Sequence, residues 1–155
     1  MTQNERIYII LLLLAISFGV FIYFLEKWKR KRPAQMDELD GHDFEYYCAE
    51  LLRICGYKSV EVTKGSGDFG ADILCEKDGV SYAIQCKCYE TSVGVHAVQE
   101  IYAGKDYYDK MVGVVMSNQY FTKPAVQMAK KLNIMLFDRD CMKKMISSAS
   151  MKKAG

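Results

Sequence analysis

One segment constrains this chain more than any other: residues 7–25 read IYIILLLLAISFGVFIYFL and contain no charged residue. A helix over these 19 residues, at about 1.5 Å per residue, nearly spans a hydrocarbon core of roughly 30 Å. Tyr8 and Tyr23 lie near its ends, where aromatic rings prefer the membrane interface. A cleaved signal peptide is the alternative, but the run exceeds the usual apolar region of about 7–15 residues and no small-x-small site follows it. The segment therefore predicts one N-terminal transmembrane helix.

The charges that flank this segment predict its orientation. Five basic residues follow it within positions 27–32, whereas only Arg6, beside Glu5, precedes it. Positively charged flanks stay on the cytoplasmic side of a membrane. We therefore expect a single-pass protein of the inner or cytoplasmic membrane, with the N-terminus outside and the rest of the chain in the cytoplasm. The basic cluster also suits anionic lipid headgroups.

The rest of the chain lacks the positive charge typical of proteins that bind polyanions. Residues 1–32 hold six basic and two acidic residues, a balance of +4, and residues 33–155 hold 15 basic and 17 acidic residues, a balance of −2. A nucleic acid would therefore be bound by a local patch or through metal ions. The length allows one domain of ordinary size. We divide the chain into an anchor (1–32), a linker (33–38), a folded domain (39–147) and a tail (148–155).

The six cysteines favour a reducing compartment. No pair has C-x₂-C spacing and the chain has only two histidines, which disfavours a zinc site. Three disulfides are the alternative that an even count allows. In a cytoplasmic domain with its own core, reduced and mostly buried thiols are the better interpretation.

Hydrophobic periodicity and turn residues predict an α/β domain with a mixed sheet, in the order αβββαβαβ. Asp40 or Asp43 can cap the first helix, Gly56 can end it, and Thr122 can cap a later one. The predicted helices are 41–55, 93–108, 123–132 and a closing helix over 139–147; the predicted strands are 60–63, 71–76, 80–89, 111–116 and 134–137, with a glycine-rich loop over 64–70.

The dipeptide Asp78-Gly79 predicts a two-residue hairpin turn, and the turn fixes the register of its strands. Ile73 then faces Ile84 on an apolar side of the hairpin. On the other side Asp72 lies opposite Gln85, with their Cβ atoms about 5 Å apart. Lys87 is the diagonal neighbour of the aspartate. A slip of one residue would turn the apolar side outward, which argues against any other register. We expect the polar side to be open to solvent.

These three polar groups have a chemical interpretation. An aspartate supplies a hard oxygen ligand to Mg²⁺, and the carbonyl of a glutamine can supply a weaker one. A lysine two residues further on can stabilise charge that develops on a phosphate, or align an attacking water. The alternative is a solvated sheet surface on which Asp72 and Lys87 form an ordinary ion pair.

Five stretches, taken together, resemble a known family. In their order and spacing they are similar to the Mrr-type restriction endonuclease domain, a branch of the PD-(D/E)xK nuclease superfamily, over about residues 39–141. The resemblance implies a restriction-endonuclease-like fold, a three-layer α/β core with a mixed central sheet flanked by helices. The stretches are GHDFEYYCAELLRICGY (41–57), GSGDFGADI (65–73), IQCKCY (84–89), VQEIYAGKDYY (98–108) and FTKPAVQMA (121–129).

The resemblance also implies a role for each residue of a catalytic site. Asp72 matches the metal-binding aspartate of the family. Gln85 and Lys87 match the Q-x-K form of the third-strand motif, where most of the superfamily has an acid in place of glutamine. Glu45 matches a glutamate of the first helix that reaches the metal directly or through water; its alternative is an ordinary acid on the helix surface. The metal ligands implied are thus Asp72, Gln85 and Glu45.

Two further residues match family positions of support or substrate contact. They are Asp68 in the glycine-rich loop and Gln99 on the second predicted helix. The alternative for Asp68 is that it only orders its loop, and the alternative for Gln99 is an ordinary surface residue.

The predicted anchor and the resemblance together give a membrane-anchored, Mg²⁺-dependent DNA endonuclease, with Mn²⁺ as the alternative metal and a restriction or defence role. A second function keeps the fold without the chemistry: a catalytically silent module that binds DNA or a protein at the membrane. The neutral Gln85 leaves a thin set of charged ligands, which supports keeping this second hypothesis. A homodimer is also left open.

Overall fold

A computed structural model of the protein describes residues 16–19, 36–63 and 69–154. Residues 16–19 are helical, and no helix among the described residues is long and apolar enough to cross a membrane. Most of the predicted transmembrane segment, 7–25, lies outside these residues, as does Asp68 of the glycine-rich loop.

The predicted order of elements is confirmed from residue 41 onward, and a closing helix completes it. This helix extends to residue 154, seven residues beyond its predicted end. The elements are α1 Gly41–Ile54, β1 Lys58–Val62, β2 Ile73–Lys77, β3 Val80–Lys87, α2 Val95–Tyr107, β4 Val112–Ser117, α3 Lys123–Leu132, β5 Met135–Phe137 and α4 Arg139–Ala154.

The strands of the described residues form one mixed sheet in the order β1-β2-β3-β4-β5. The first three strands pair antiparallel, and β3, β4 and β5 pair parallel. Parallel neighbours require crossover connections, which α2 and α3 provide. The predicted α/β class with a mixed sheet is therefore confirmed.

The β2–β3 hairpin has the predicted turn and register. Asp78 and Gly79 have φ values of 52° and 79°, the left-handed conformation that a type I′ turn requires at both central residues. Ile73 pairs with Ile84, and Cys75 pairs with Tyr82. Local turn chemistry thus sets which side chains of the two strands share a face.

One face of the sheet packs against α1 and α4 through large apolar side chains. Helix α1 begins where the Asp40 carboxylate accepts a hydrogen bond from the Asp43 N–H at 2.8 Å. Its buried stripe faces the strands, and α4 adds Met142 to the same cluster. The fully buried large residues of this face are Phe44, Leu52, Ile73, Ile84, Met116 and Met142.

The opposite face packs against α2 and α3 mainly through small residues, among them Ala83, Ala97 and Ala129. Two glycines bring the backbones into direct contact. A Cβ on Gly70 would lie 2.4 Å from the Glu100 backbone oxygen, and one on Gly104 would lie 2.8 Å from the Gly70 carbonyl carbon. Helix α2 is therefore seated directly on the segment that leads into β2.

This packing corrects one expectation. The polar side of the hairpin is not open, because α2 covers it: Asp72 is 5% exposed and Gln85 is 4% exposed. Alternation along the strands places the side chains on the correct face, but it carries no information on what covers that face.

Candidate active site

Asp72 lies immediately before β2 and is fixed through both its backbone and its side chain. Its N–H donates to the Ile84 carbonyl, and its carbonyl accepts from the Thr63 N–H, each at 2.8 Å. Its Oδ2 accepts hydrogen bonds from Gln85 Nε2 at 2.5 Å and from the Cys86 N–H at 2.6 Å. The carboxylate is thus buried and held in one orientation by two donors of the neighbouring strand.

Gln85 contributes a buried oxygen that lacks a hydrogen-bond partner among the described residues. Its amide nitrogen is used by Asp72, and its Oε1 has no hydrogen-bond partner within the described part of the chain. Buried polar atoms are paired in the great majority of cases, so an orphaned one needs an explanation. The Gln85 carbonyl oxygen and the Asp72 carboxylate are oxygen donors of the kind that a hard cation such as Mg²⁺ prefers.

Lys87 follows Gln85 by two residues, and its side chain is 18% exposed. Its Nζ lies 2.7 Å from Glu100 Oε2 of α2. Burial lowers the pKa of the Lys87 ammonium, but the hydrogen bond and the charge of Glu100 outweigh burial and raise this pKa overall, with smaller contributions from Tyr89 and Asp72. Lys87 therefore carries its positive charge at neutral pH, within range of the Asp72 charge.

Glu45 approaches the same strand from α1. Its Oε2 lies 3.4 Å from His42 Nδ1. A hydrogen bond with Cys48 and burial raise the pKa of the Cys86 thiol well above its usual range, and the carboxylates of Asp72 and Glu45 both add to this shift. The structure therefore places the Glu45 carboxylate near Cys86, whose side chain lies on the α1 face of β3, the face opposite to that of Gln85 and Lys87.

The site has few charged side chains that could bind a metal ion. Among the described residues, no group of three His, Cys, Asp or Glu side chains lies close enough together to hold a metal ion. A hydrogen bond from Gln85 Nε2 to Asp72 Oδ2 joins the two residues whose oxygens are the candidate ligands. The role of Glu45 as a third ligand stays a prediction.

One of the two predicted substrate contacts, Gln99, is not brought into this cluster. Gln99 is exposed on α2. At about 100° per residue it lies on the side of the helix opposite the buried Ala97, Ile101 and Gly104. Asp68 is outside the residues that the structure describes, so its role also stays a prediction.

Sequence reasoning missed Glu100, the partner of Lys87. Helical spacing offered a signal, because Glu100 flanks the buried stripe of α2 while Gln99 faces away from it. An acid at the border of a buried stripe can reach a strand beneath the helix. The sequence alone does not say which strand.

Sequence reasoning also missed a hydrogen-bond network that supports the chain at the end of β3. Asn118, 2% exposed, accepts from the Tyr89 N–H at 2.9 Å and donates to the Tyr89 carbonyl at 3.0 Å. Its amide also donates to Asp37, which binds the Arg139 guanidinium through two hydrogen bonds of 2.6 and 2.7 Å. This network fixes the chain two residues beyond Lys87. No motif marks it, because its members are far apart in sequence.

A mixed five-stranded sheet with helices on both faces, and an Asp-Gln-Lys set on its central hairpin, define a domain of the restriction-endonuclease-like fold. The chain belongs to the restriction endonuclease family Mrr_cat, which matches residues 36–146. The family predicted from the motifs is therefore confirmed.

Two solved structures share the fold. The DNA modification-dependent restriction endonuclease AspBHI is 19% identical, with a TM-score of 0.55, over 70% of this chain and 31% of that one. The protein of unknown function AF1548 is 18% identical, with a TM-score of 0.53, over 63% of this chain and 62% of that one. The chain thus spans less than two thirds of either. No curated protein sequence matches it.

Proposed function

We propose that this protein is a metal-dependent DNA endonuclease that hydrolyses phosphodiester bonds and is tethered to the cytoplasmic membrane by residues 7–25. Mg²⁺ is the proposed metal, with Mn²⁺ as the alternative, and restriction or defence is the proposed role. One observation carries the nuclease proposal: the buried Asp72 carboxylate accepts a hydrogen bond from the amide of Gln85, whose own Oε1 has no partner among the described residues, and a charged Lys87 follows two residues later.

The residues present fit a divalent cation. Asp72 and Gln85 would hold it through oxygen, the donor that Mg²⁺ prefers, and Glu45 would complete the set directly or through water. A bound cation would satisfy Oε1 of Gln85, which the described protein atoms leave unpaired. A divalent ion at such a site supplies Lewis-acid polarisation of a phosphoryl oxygen and a lowered pKa for its bound water.

The chain's own residues have distinct tasks. The Asp72 carboxylate is pre-oriented by the Gln85 amide and the Cys86 N–H, so little reorganisation is needed when charge develops nearby. The Lys87 ammonium is charged and placed to stabilise negative charge on a phosphate oxygen or to align the attacking water. Burial under α2 keeps bulk water away from the two oxygen donors, which strengthens each of these interactions.

The comparisons support DNA as the substrate. The family is one of restriction endonucleases, and AspBHI, which shares the fold, is named as a restriction endonuclease that depends on DNA modification. The charge balance of −2 over residues 33–155 fits a protein that binds DNA weakly by charge alone and relies on a local site.

A binding module without catalysis is the second candidate. The observation that favours it is the absence, among the described residues, of a cluster of three charged metal ligands. A site with one carboxylate and one neutral amide binds a cation less tightly than the two-acid site of most of the superfamily. Such a domain would still bind DNA.

The test pairs calorimetric metal titration with plasmid nicking on the full chain in detergent. Asp72→Ala should lose both metal binding and cleavage, whereas Lys87→Ala should keep metal binding and lose at least about 100-fold in rate. Gln85→Glu adds a ligand charge and should keep or strengthen metal binding. Glu76→Ala, an exposed acid of the same hairpin, is the matched control and should cleave like wild type.

Two outcomes would overturn the proposal. Cleavage by Asp72→Ala at the wild-type rate would show that the assigned site is wrong. A wild-type protein that binds DNA but never cuts it with any divalent metal would establish the binding module instead. Circular dichroism of each variant separates a lost site from a lost fold.

The membrane tether rests on the uncharged run at 7–25 and the basic cluster at 27–32. In intact cells an impermeant thiol reagent should label Thr2→Cys, and should label Ser150→Cys only after permeabilisation, each above the wild-type background. Recovery of the protein in the soluble fraction would refute the tether, and labelling of Ser150→Cys in intact cells would refute the orientation.

A further inference from the structure

We propose that Glu100 is a positioning residue of this site, which holds the Lys87 ammonium where the reaction needs it. The inference rests on the proposed nuclease function and assigns a role to a residue for which the family resemblance gave none. Its direct observation is the contact of 2.7 Å between Lys87 Nζ and Glu100 Oε2.

The backbone that carries Glu100 has a fixed relation to Asp72. The Glu100 carbonyl lies so close to Gly70 that no side chain fits between them, and Gly70 precedes Asp72 by two residues. A second close approach, Gly104 against Gly70, holds the next turn of α2 in the same place. The helix therefore aligns Glu100 with the carboxylate end of the site.

Lys87 needs such a partner because its side chain has four rotatable methylenes and a compact charge. The ammonium is largely buried, and the titratable groups that face it are Glu100 from α2, Tyr89 from the segment after β3, and Asp72 from the residues just before β2. Of these, Glu100 is the one that forms a hydrogen bond with the ammonium. Without Glu100, the Lys87 side chain would lose this contact and would sample several rotamers.

The same helix provides a matched control. Lys105 Nζ contacts Asp106 Oδ1 at 2.6 Å, and the Asp106 side chain is 64% exposed. Exposed pairs of this kind contribute about 0–1 kcal/mol to stability. An ordinary surface role for Glu100 would make Glu100→Ala indistinguishable from Asp106→Ala, whereas a positioning role would not.

The kinetic test compares Glu100→Ala, Glu100→Gln and Asp106→Ala with wild type. A misplacement of about 1 Å can reduce the rate about 100-fold, so Glu100→Ala should lower kcat about 10- to 100-fold with little change in KM for DNA. Glu100→Gln keeps an acceptor oxygen and should fall between Glu100→Ala and wild type. Metal affinity should be unchanged in all three variants. A Glu100→Ala that cleaves like Asp106→Ala, or that loses metal affinity as a ligand variant would, overturns the inference.

A second readout does not depend on cleavage. Trace acylation of amines, read by mass spectrometry, reports how freely the Lys87 Nζ can be reached by the reagent relative to that of the exposed Lys123. The relative reactivity of Lys87 should rise in Glu100→Ala and stay at the wild-type value in Asp106→Ala. Equal reactivity of Lys87 in wild type, Glu100→Ala and Asp106→Ala would show that Glu100 does not position the Lys87 side chain, whether or not the wild type cuts DNA. Failure of the nuclease proposal would appear separately, as a wild type that never nicks plasmid.

Discussion

The two faces of the central sheet are built from different kinds of residue. The face toward α1 and α4 is filled by large apolar side chains such as Phe44, Ile84 and Met142. The face toward α2 and α3 is filled largely by alanine and valine, and at one end by the polar side chains of Asp72 and Gln85. One hairpin contributes to both faces, because successive residues of a strand point to opposite sides.

This difference separates stability from function. Large side chains bury the most area and dominate the hydrophobic term. Small side chains let α2 approach β3 closely, so that Glu100 of the helix meets Lys87 of the strand. Buried polar groups oppose folding unless they are paired, and one oxygen of this face is not. A place where local rules fail in this way is where a functional site is expected.

The largest effect should follow from a charge on the apolar face. Ile84→Asp places an unpaired carboxylate in a fully buried position and should destabilise the domain by about 4 kcal/mol or more, which unfolds a typical domain. Ile84→Val is the control and should reduce the free energy of unfolding by only about 0.5–1.5 kcal/mol. Urea denaturation followed by circular dichroism measures both. A folded, cooperative Ile84→Asp would contradict the assignment of this face.

An intermediate effect should follow from a methyl group on the small-residue face. The added Cβ of Gly104→Ala would lie 2.8 Å from the Gly70 backbone, so the helix or the loop must shift. Overpacking of this kind reduces stability by about 1–3 kcal/mol, although alanine is the better helix former.

Because Gly70 leads into Asp72, Gly104→Ala should also reduce the rate of plasmid nicking. Gly41→Ala is the matched control, since a Cβ there has no neighbour within 4 Å, and it should be neutral or slightly stabilising. Wild-type stability and cleavage in Gly104→Ala would mean that the contact between α2 and the loop is not needed for the site.

Local signals in the sequence were sufficient for the elements and for the hairpin. Asp78-Gly79 determines the turn, the turn determines the register, and the register places Asp72 opposite Gln85. The burial of these two residues could not be predicted in the same way. It depends on α2, which crosses the face because Gly70 and Gly104 meet, and those glycines lie 34 residues apart in sequence.

The partners of the site were harder still to predict. The contact between Lys87 and Glu100 depends on how a helix is seated on a strand, and the contact between Asp37 and Arg139 joins residues 102 positions apart. Periodicity gives the face of a helix but not its neighbour. Asn118 reads as an ordinary turn residue until the structure shows both of its polar groups bonded to Tyr89.

The smallest effect should follow at the edge of the sheet where the parallel strands β3, β4 and β5 end, and it should depend on pH. The hydrogen bond with the Arg139 guanidinium lowers the pKa of Asp37, against a weaker opposing effect of burial, and the Asn118 amide lowers this pKa further. A carboxylate whose pKa is lower in the folded protein stabilises it above the unfolded pKa of about 3.9, and this contribution is lost as the pH falls through the folded value.

Asp37→Asn should therefore lower the free energy of unfolding by about 1 kcal/mol at pH 7, the upper end for a partly exposed ion pair, and the difference from wild type should begin to shrink as the pH falls below the unfolded pKa of about 3.9. Glu38→Gln, the exposed neighbouring carboxylate, should show no difference at either pH. Urea midpoints at pH 7, 5 and 3 give the measurement.

A difference between Asp37→Asn and wild type that stays constant over this range would mean that the effect comes from packing of Met36 and Asn118, not from the charge. Loss of nicking activity in Asp37→Asn at pH 7 without loss of folding would show that this edge supports Lys87 through Tyr89, and that the polar face depends on residues outside it.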